Sequence, residues 1–364
     1  MSLLHQIASQ LDGKHFALQL IEREIQEKKV HSLVIGSLEP TIGRHPKELK
    51  SNLVKINIDK IDDGKRIAVV SKTGSGKTTL MASMLFFGKI SGFQCFIPFD
   101  FKAEYSQILR KYSYFYYGRD IFEGDLIELY PYYLKDVAEF KRENAFQFDV
   151  TDLSESEMEI LLNIHGAKDF RKRDLLFNII SKLPEARKTI GEVAEILNDR
   201  VMLENLAGKR MDMTIASVIS SVGSALRYNI LGNAYRKNIE SLISSRKTID
   251  ICFPRWDDFH ASITQSYVAV LEKMLKKSLE KNRRHVLTAI DEGRIIIPKS
   301  KSEGDTSRRE IIKNIKTTRY LGETMIFGVQ DLKDVEESVV GQSSYYFISH
   351  KIQVRDVKRL LDST

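Results

Sequence analysis

Apolar and polar positions along this chain follow two periods, and the switches between them outline a series of elements. Short apolar runs of strand length lie at residues 65–70 (KRIAVV), 92–97 (GFQCFI), 248–253 (TIDICF), 285–290 (HVLTAI), 324–329 (TMIFGV) and 344–349 (SYYFIS). Residues 76–85 instead read as a helix, and residues 1–30 as one or two amphipathic helices, with Leu18, Leu20 and Ile21 set against Glu22, Arg23 and Glu24. Between them, residues 31–63 turn β-like and loop-rich, with Pro40, Gly43 and Pro46 ahead of the alternating Val54, Ile56 and Ile58.

From about residue 105 to 250 the rhythm is helix after helix. Ser154 with Glu157, Thr189 with Glu192 and Ser262 with Gln265 each have capping-box spacing in front of an apolar-periodic run. The aromatic stretch 112–117 (YSYFYY) reads as a buried or half-buried strand, a structural feature rather than a platform for stacking bases. Strands alternating with helices predict an α/β fold with a mostly parallel sheet. The expected division is an N-terminal extension (1–62), a first part of the core (63–149), a helical insertion (150–245) and a second part of the core (246–364).

Composition narrows this picture. The 364 residues are 42% apolar and 29% charged, enough for a sizeable core and incompatible with a disordered or collagen-like chain. Cys95 and Cys252 form neither a disulfide framework nor a zinc-type pattern, so a reducing, cytoplasmic setting is expected. The N-terminus lacks the basic lead and apolar stretch of a signal peptide, and the longest uncharged run found in the C-terminal two-thirds, 213–226, is too short and polar to span a bilayer. His165 and His285 have no spaced metal-ligand partners, and the lone Trp256 reads as a packing or interface residue.

Candidate chemistry begins at residues 71–78 (SKTGSGKT), which follow one predicted strand and open a helix. That context makes a phosphate-binding loop: Thr73, Gly74, Ser75, Gly76, Lys77, Thr78 and Thr79 would surround a nucleotide, with backbone N–H groups and the helix N-terminus facing its phosphates. Lys77 would reach the β- and γ-phosphates of ATP, and the Thr78 hydroxyl would ligate Mg²⁺. Ser71 stands where the pattern has its first glycine. A second strand delivers Asp291 and Glu292, the first toward Mg²⁺ and the second to polarise an attacking water.

The order of four motifs, the phosphate loop, residues 99–105 (FDFKAEY), Asp291-Glu292, and Arg319 followed by a strand ending at Gln330, resembles the HerA/FtsK superfamily of DNA-pumping ATPases, which includes secretion and viral packaging motors. The resemblance covers about residues 50–360. It implies a RecA-like P-loop NTPase core, Gln330 as a polar sensor near the γ-phosphate, Glu104 close to the nucleotide or a neighbouring subunit, and Arg319 as an arginine reaching across a subunit boundary. It also implies self-association as a ring, most simply a hexamer, translocation of double-stranded DNA, and a nuclease, secretion or packaging partner. A motor whose cargo is protein and a nucleotide-gated scaffold are the alternatives. Three departures stand out: Val329 before Gln330, Ala103 in place of a usual glycine, and Gly293-Arg294 after the acidic pair.

The net charge of +7 gains meaning only through its placement. Basic residues gather at 168–173, at Lys276, Lys277, Lys281, Arg283 and Arg284, and from Lys299 and Lys301 to Arg308, Arg309, Lys313 and Lys316. The last group follows the acidic pair closely, so in a ring it could touch phosphates without reading bases.

Overall fold

In a computed structural model the described residues are 31–37, 53–58, 60–164, 169–199, 201–203, 212–254, 261–299 and 306–348. Residues 1–30, His165, Trp256 and the loop carrying Lys301 lie outside them. Strands β1 (His31–Ser37) and β2 (Leu53–Ile58) pair antiparallel, with a register shift between Val34 and Gly36. The remaining strands are β3 (Arg66–Val70), β4 (Gln94–Asp100), β5 (Leu126–Pro131), β6 (Ala145–Phe146), β7 (Thr248–Cys252), β8 (Val286–Ile290), β9 (Glu323–Val329) and β10 (Tyr345–Ile348). They form one sheet in the order β10-β3-β9-β8-β4-β7-β5-β6, and every adjacent pair is parallel.

A parallel sheet needs helices on both faces, and its central strands are buried along their whole length. Side chains alternate across it. Ile67 and Val69 on β3, and Cys95 and Ile97 on β4, join one apolar cluster with helices α1 (Lys77–Ile90) and α2 (Tyr105–Tyr117). Ala68, Val70, Phe96 and Phe99 face the other cluster. That second cluster runs on without a break into the helices α3 (Glu155–Leu161), α4 (Phe170–Lys182), α5 (Ile190–Asn198), α6 (Asp212–Arg227) and α7 (Ile239–Ser244). The longest helix, α8 (Ala261–Lys281), is buried beneath the sheet, followed by the short α9 (Gly293–Ile296), then α10 (Thr306–Thr318) and α11 (Glu337–Val340).

Helix ends show which local signals matter. Ser154 and Glu157 form a complete capping box at α3, and Glu157 also pairs with Lys277 of α8 at 2.5 Å. Thr189 caps α5 through Glu192 N–H, but the Glu192 carboxylate turns to Arg187 instead of closing a box. Ser262 lies inside α8, so its expected capping role is wrong; Gln265 donates to the Ile295 carbonyl at 2.6 Å.

Two further expectations are corrected. Residues 112–117 are the second half of α2, not a strand. Tyr105, Leu109 and Ser113 are buried at helical spacing, and the Tyr112 and Tyr116 rings pack on Phe86 of α1 at 5.8 and 5.4 Å, so tertiary packing overrides the strand preference of aromatics. Within the stretch read as helix after helix, β5 and β6 extend the sheet instead.

No helix among the described residues is long and apolar enough to cross a membrane.

Candidate nucleotide-binding site

Four neighbouring strands, β3, β9, β8 and β4, end on the same edge of the sheet, where open parallel sheets bind ligands. At the end of β3 the chain turns through Gly74 (φ 76°) and Gly76 (φ 84°), both left-handed, and enters α1 at Lys77. Ser71 is buried, has no positive φ, and donates its N–H to the Val329 carbonyl at 2.9 Å, so the position requires no glycine.

An open cavity of about 280 Å³ sits over this edge, lined by Lys72, Thr73, Gly74, Gly76, Lys77, Thr78, Thr79, Phe101, Lys102, Glu104, Asp291, Glu292 and Gln330. The sequence-predicted residues Thr73, Gly74, Gly76, Lys77, Thr78, Thr79, Glu104, Asp291, Glu292 and Gln330 therefore converge on one pocket. Ser75 lies in the loop but not on the cavity wall, with its hydroxyl buried and unpartnered among the described residues.

Lys77 Nζ donates to the Asp291 carbonyl at 2.8 Å and to Glu292 Oε2 at 3.0 Å. The Thr78 hydroxyl stands 3.4 Å from Asp291 Oδ1, and Gln330 Nε2 donates to Glu292 Oε2 at 3.1 Å. Glu292 Oε1 accepts no hydrogen bond among the described residues, with Arg294 Nε 3.5 Å away. Burial raises the Asp291 carboxyl above its usual range; Lys77 opposes that rise and Glu292 adds to it.

Arg319 is elsewhere. It precedes β9, its carbonyl accepts the Gly64 N–H that leads into β3, and its guanidinium lies 4.5 Å from the Tyr320 ring. The seven residues of β9 separate that position from Gln330 by about 20 Å, so Arg319 takes no part in the pocket of its own chain.

Several lining and supporting residues have no role predicted from the sequence, although Asp100, Phe101, Lys102 and Tyr105 lie within the motif at 99–105. Phe101 and Lys102 reach the cavity from the turn after β4. Gly328 lies under the site: a Cβ there would stand 2.4 Å from the Asp291 carbonyl and 2.9 Å from Lys77 Cδ, so the lysine stem passes only because residue 328 is glycine. Tyr105, fully buried, donates its hydroxyl to Asp291 Oδ1 at 3.3 Å. Behind it, Asp100 accepts the Tyr105 N–H at 2.9 Å, and Asp250 on β7 accepts Ser106 N–H at 3.1 Å and Ser106 Oγ–H at 2.6 Å. Asp100, Asp250 and Cys252 bring donor atoms within 4.8 Å of one another, a grouping no local spacing reveals. Burial pushes all three upward, Asp250 to about 7, so the cluster holds protons near neutrality.

With this geometry in place, comparison with known proteins is informative. Residues 40–350 match the family described as Helicase HerA, central domain. The chain belongs to that family. No curated protein matches this HerA-type chain. Among solved structures it shares its fold with the bacterial conjugative coupling protein TrwB, at 14% identity and a TM-score of 0.52 over 85% of this chain and 69% of that one. A TrwB complex with ADP and Mg²⁺ matches at 13% identity and a TM-score of 0.52, over 85% of this chain and 71% of that one. VirB4 of Thermoanaerobacter pseudethanolicus matches at 12% identity and a TM-score of 0.55, over 82% of this chain and 80% of that one. The HerA-type core is thus a P-loop α/β domain with its loop, acidic pair and Gln330 on one strand edge.

Proposed function

We propose that this chain is the ATP-hydrolysing core of a ring motor that moves double-stranded DNA. The observation that carries the reading is the convergence of Lys77, Thr78, Asp291, Glu292 and Gln330 on one pocket within a HerA-type fold. Relatives in fold that are named for conjugative coupling, one of them in complex with ADP and Mg²⁺, support the same class of work.

In this reading the α1 N-terminus and Lys77 hold the phosphates of ATP. Thr78 and Asp291 form an oxygen donor set 3.4 Å apart, suited to a hard cation such as Mg²⁺, and these two residues would hold it. When bound, that ion neutralises charge on the phosphates. Glu292 offers its unbonded Oε1 as the acceptor for a water proton, while Lys77 and Gln330 fix Oε2 and hence the carboxylate plane. Glu104 borders the same cavity from the first residue ahead of α2. Because Arg319 lies at the other end of β9, any role for it in hydrolysis belongs to a neighbouring subunit of a ring.

The test is ATP turnover with and without duplex DNA. Lys77→Ala is expected to lower turnover at least a hundredfold, the scale of losing a preorganised charge on the reacting group. Duplex DNA is expected to stimulate the parent protein, with stimulation fading as salt rises. Near-normal turnover by Lys77→Ala would sink the site assignment. A parent that hydrolyses ATP without any response to DNA would instead point to protein cargo or to a nucleotide-gated scaffold.

A further inference from the structure

We propose that Tyr105 is a positioning residue for Asp291, and that the buried carboxyl groups of Asp100 and Asp250 clamp the first turn of α2 so that the Tyr105 hydroxyl stays on the Asp291 carboxylate. The inference rests on the nucleotide-site reading above and deepens it, since it names what fixes the metal-side carboxylate.

The Tyr105 side chain is fully buried, and among the described residues its hydroxyl has two hydrogen-bond partners, Asp291 Oδ1 at 3.3 Å and the weak acceptor Met81 Sδ at 3.6 Å. A donor on Oδ1 fixes the carboxylate rotamer that faces Thr78. The backbone of the donor is itself held from two strands. Asp100 at the end of β4 accepts the N–H groups of Lys102 at 3.1 Å and Tyr105 at 2.9 Å. Asp250 on β7 accepts both the N–H and the hydroxyl of Ser106. Two buried carboxyls side by side are costly, and here they serve four donors in one stretch of five residues. The chain of contact runs from β7 through α2 to the end of β8, three elements that share no sequence proximity. The same turn sets Lys102 and Glu104 on the cavity wall.

The experiment uses Tyr105→Phe, which keeps the ring and removes only the hydroxyl, beside Ser106→Ala, which removes one bond to Asp250. Affinity for ADP is measured in Mg²⁺ and in EDTA, and the Mg²⁺ concentration for half-maximal ATP turnover is measured alongside. The expected result for Tyr105→Phe is a loss of about tenfold in the Mg²⁺-dependent gain in ADP affinity, the scale of one hydrogen bond to a charged group. Affinity in EDTA is expected to stay at the parent value. Ser106→Ala is expected to shift the same ratio in the same direction by less. A merely structural tyrosine would lower both affinities together or neither. An unchanged Mg²⁺/EDTA ratio in Tyr105→Phe overturns the inference. A parent that binds Mg²⁺-ADP but never hydrolyses ATP would defeat the motor reading, while the Mg²⁺/EDTA ratio would still decide the role of Tyr105.

Discussion

Residue 103 turns the chain into the left-handed region without a glycine. Ala103 has φ 55°, in the turn that carries Lys102 and Glu104 to the cavity. An L-residue there costs about 1–2 kcal/mol, against which alanine regains less than 1 kcal/mol by restricting the unfolded chain. Ala103→Gly is therefore expected to stabilise the protein by about 0.5–1 kcal/mol, read as a higher urea midpoint at unchanged slope; a lower midpoint would show that the turn is not strained. Ser71 also departs from the family pattern, yet it has an ordinary φ and needs no relief. Both departures are visible in the sequence, but only backbone geometry separates the strained one from the neutral one. The same holds for Gly328, an ordinary glycine in an apolar strand until its hydrogen is found facing Lys77 Cδ and the Asp291 carbonyl.

Among the elements, β7 shows most clearly what a strand pattern hides. Its run TIDIC is buried at every position, which places Asp250 inside the sheet beside Asp100, Cys252 and Glu128. Burial raises Asp250 from 3.8 to about 7; the Ser106 bonds and Lys141 oppose the rise, and Glu128 adds to it. Below about pH 4 the carboxyl is protonated folded or unfolded. As pH rises from there to about 7, the unfolded chain releases the proton while the folded one keeps it, so stability falls by up to about 1.4 kcal/mol per pH unit. Above pH 7 this contribution is flat. Asp250→Asn keeps an acceptor for Ser106 and removes the titration, so its stability between pH 5 and 7 is expected to decline less steeply than the parent's. Equal slopes in a denaturation series would mean that Asp250 ionises normally. The phosphate loop, Asp291-Glu292 and Gln330 are legible in the sequence because each is a local motif at a strand end. Tyr105 stands in the motif at 99–105, but its contact with Asp291, like the place of Asp250, arises from the order β8-β4-β7, which joins segments far apart in sequence. Likewise the aromatics of α2 favour a strand, and packing on α1, including Phe86 and Phe87, decides otherwise.

For the whole molecule, the fold sorts the basic residues that composition merely counts. Lys277 and Lys281 pair with Glu157 and Glu240, and Arg284 is buried against Gln94, Ser278 and the Ile243 carbonyl, so that cluster mostly joins helices to the sheet. Arg173 likewise pairs with Glu155 and Glu159. On α10 the arrangement differs. Arg308 turns inward to Glu336 and the Pro298 carbonyl, while Arg309 and Lys313 are exposed one turn apart, Lys313 with Glu310 at 3.6 Å, and Lys316 continues the same face half-buried. This helix follows the acidic pair by a short stretch of chain, so a cation stripe lies on the segment that leaves the nucleotide site. Phosphate contacts from such a stripe are non-specific and salt-dependent, with the logarithm of affinity falling by about 0.9 per contact for each unit of log salt. The combined Arg309→Ala, Lys313→Ala and Lys316→Ala protein is expected to leave DNA-free turnover near the parent value and to make the salt dependence of DNA binding less steep by up to about 2.7. The loss should be uniform across DNA sequences, because backbone contacts position without specifying. A slope unchanged within error would show that this helix makes no phosphate contact.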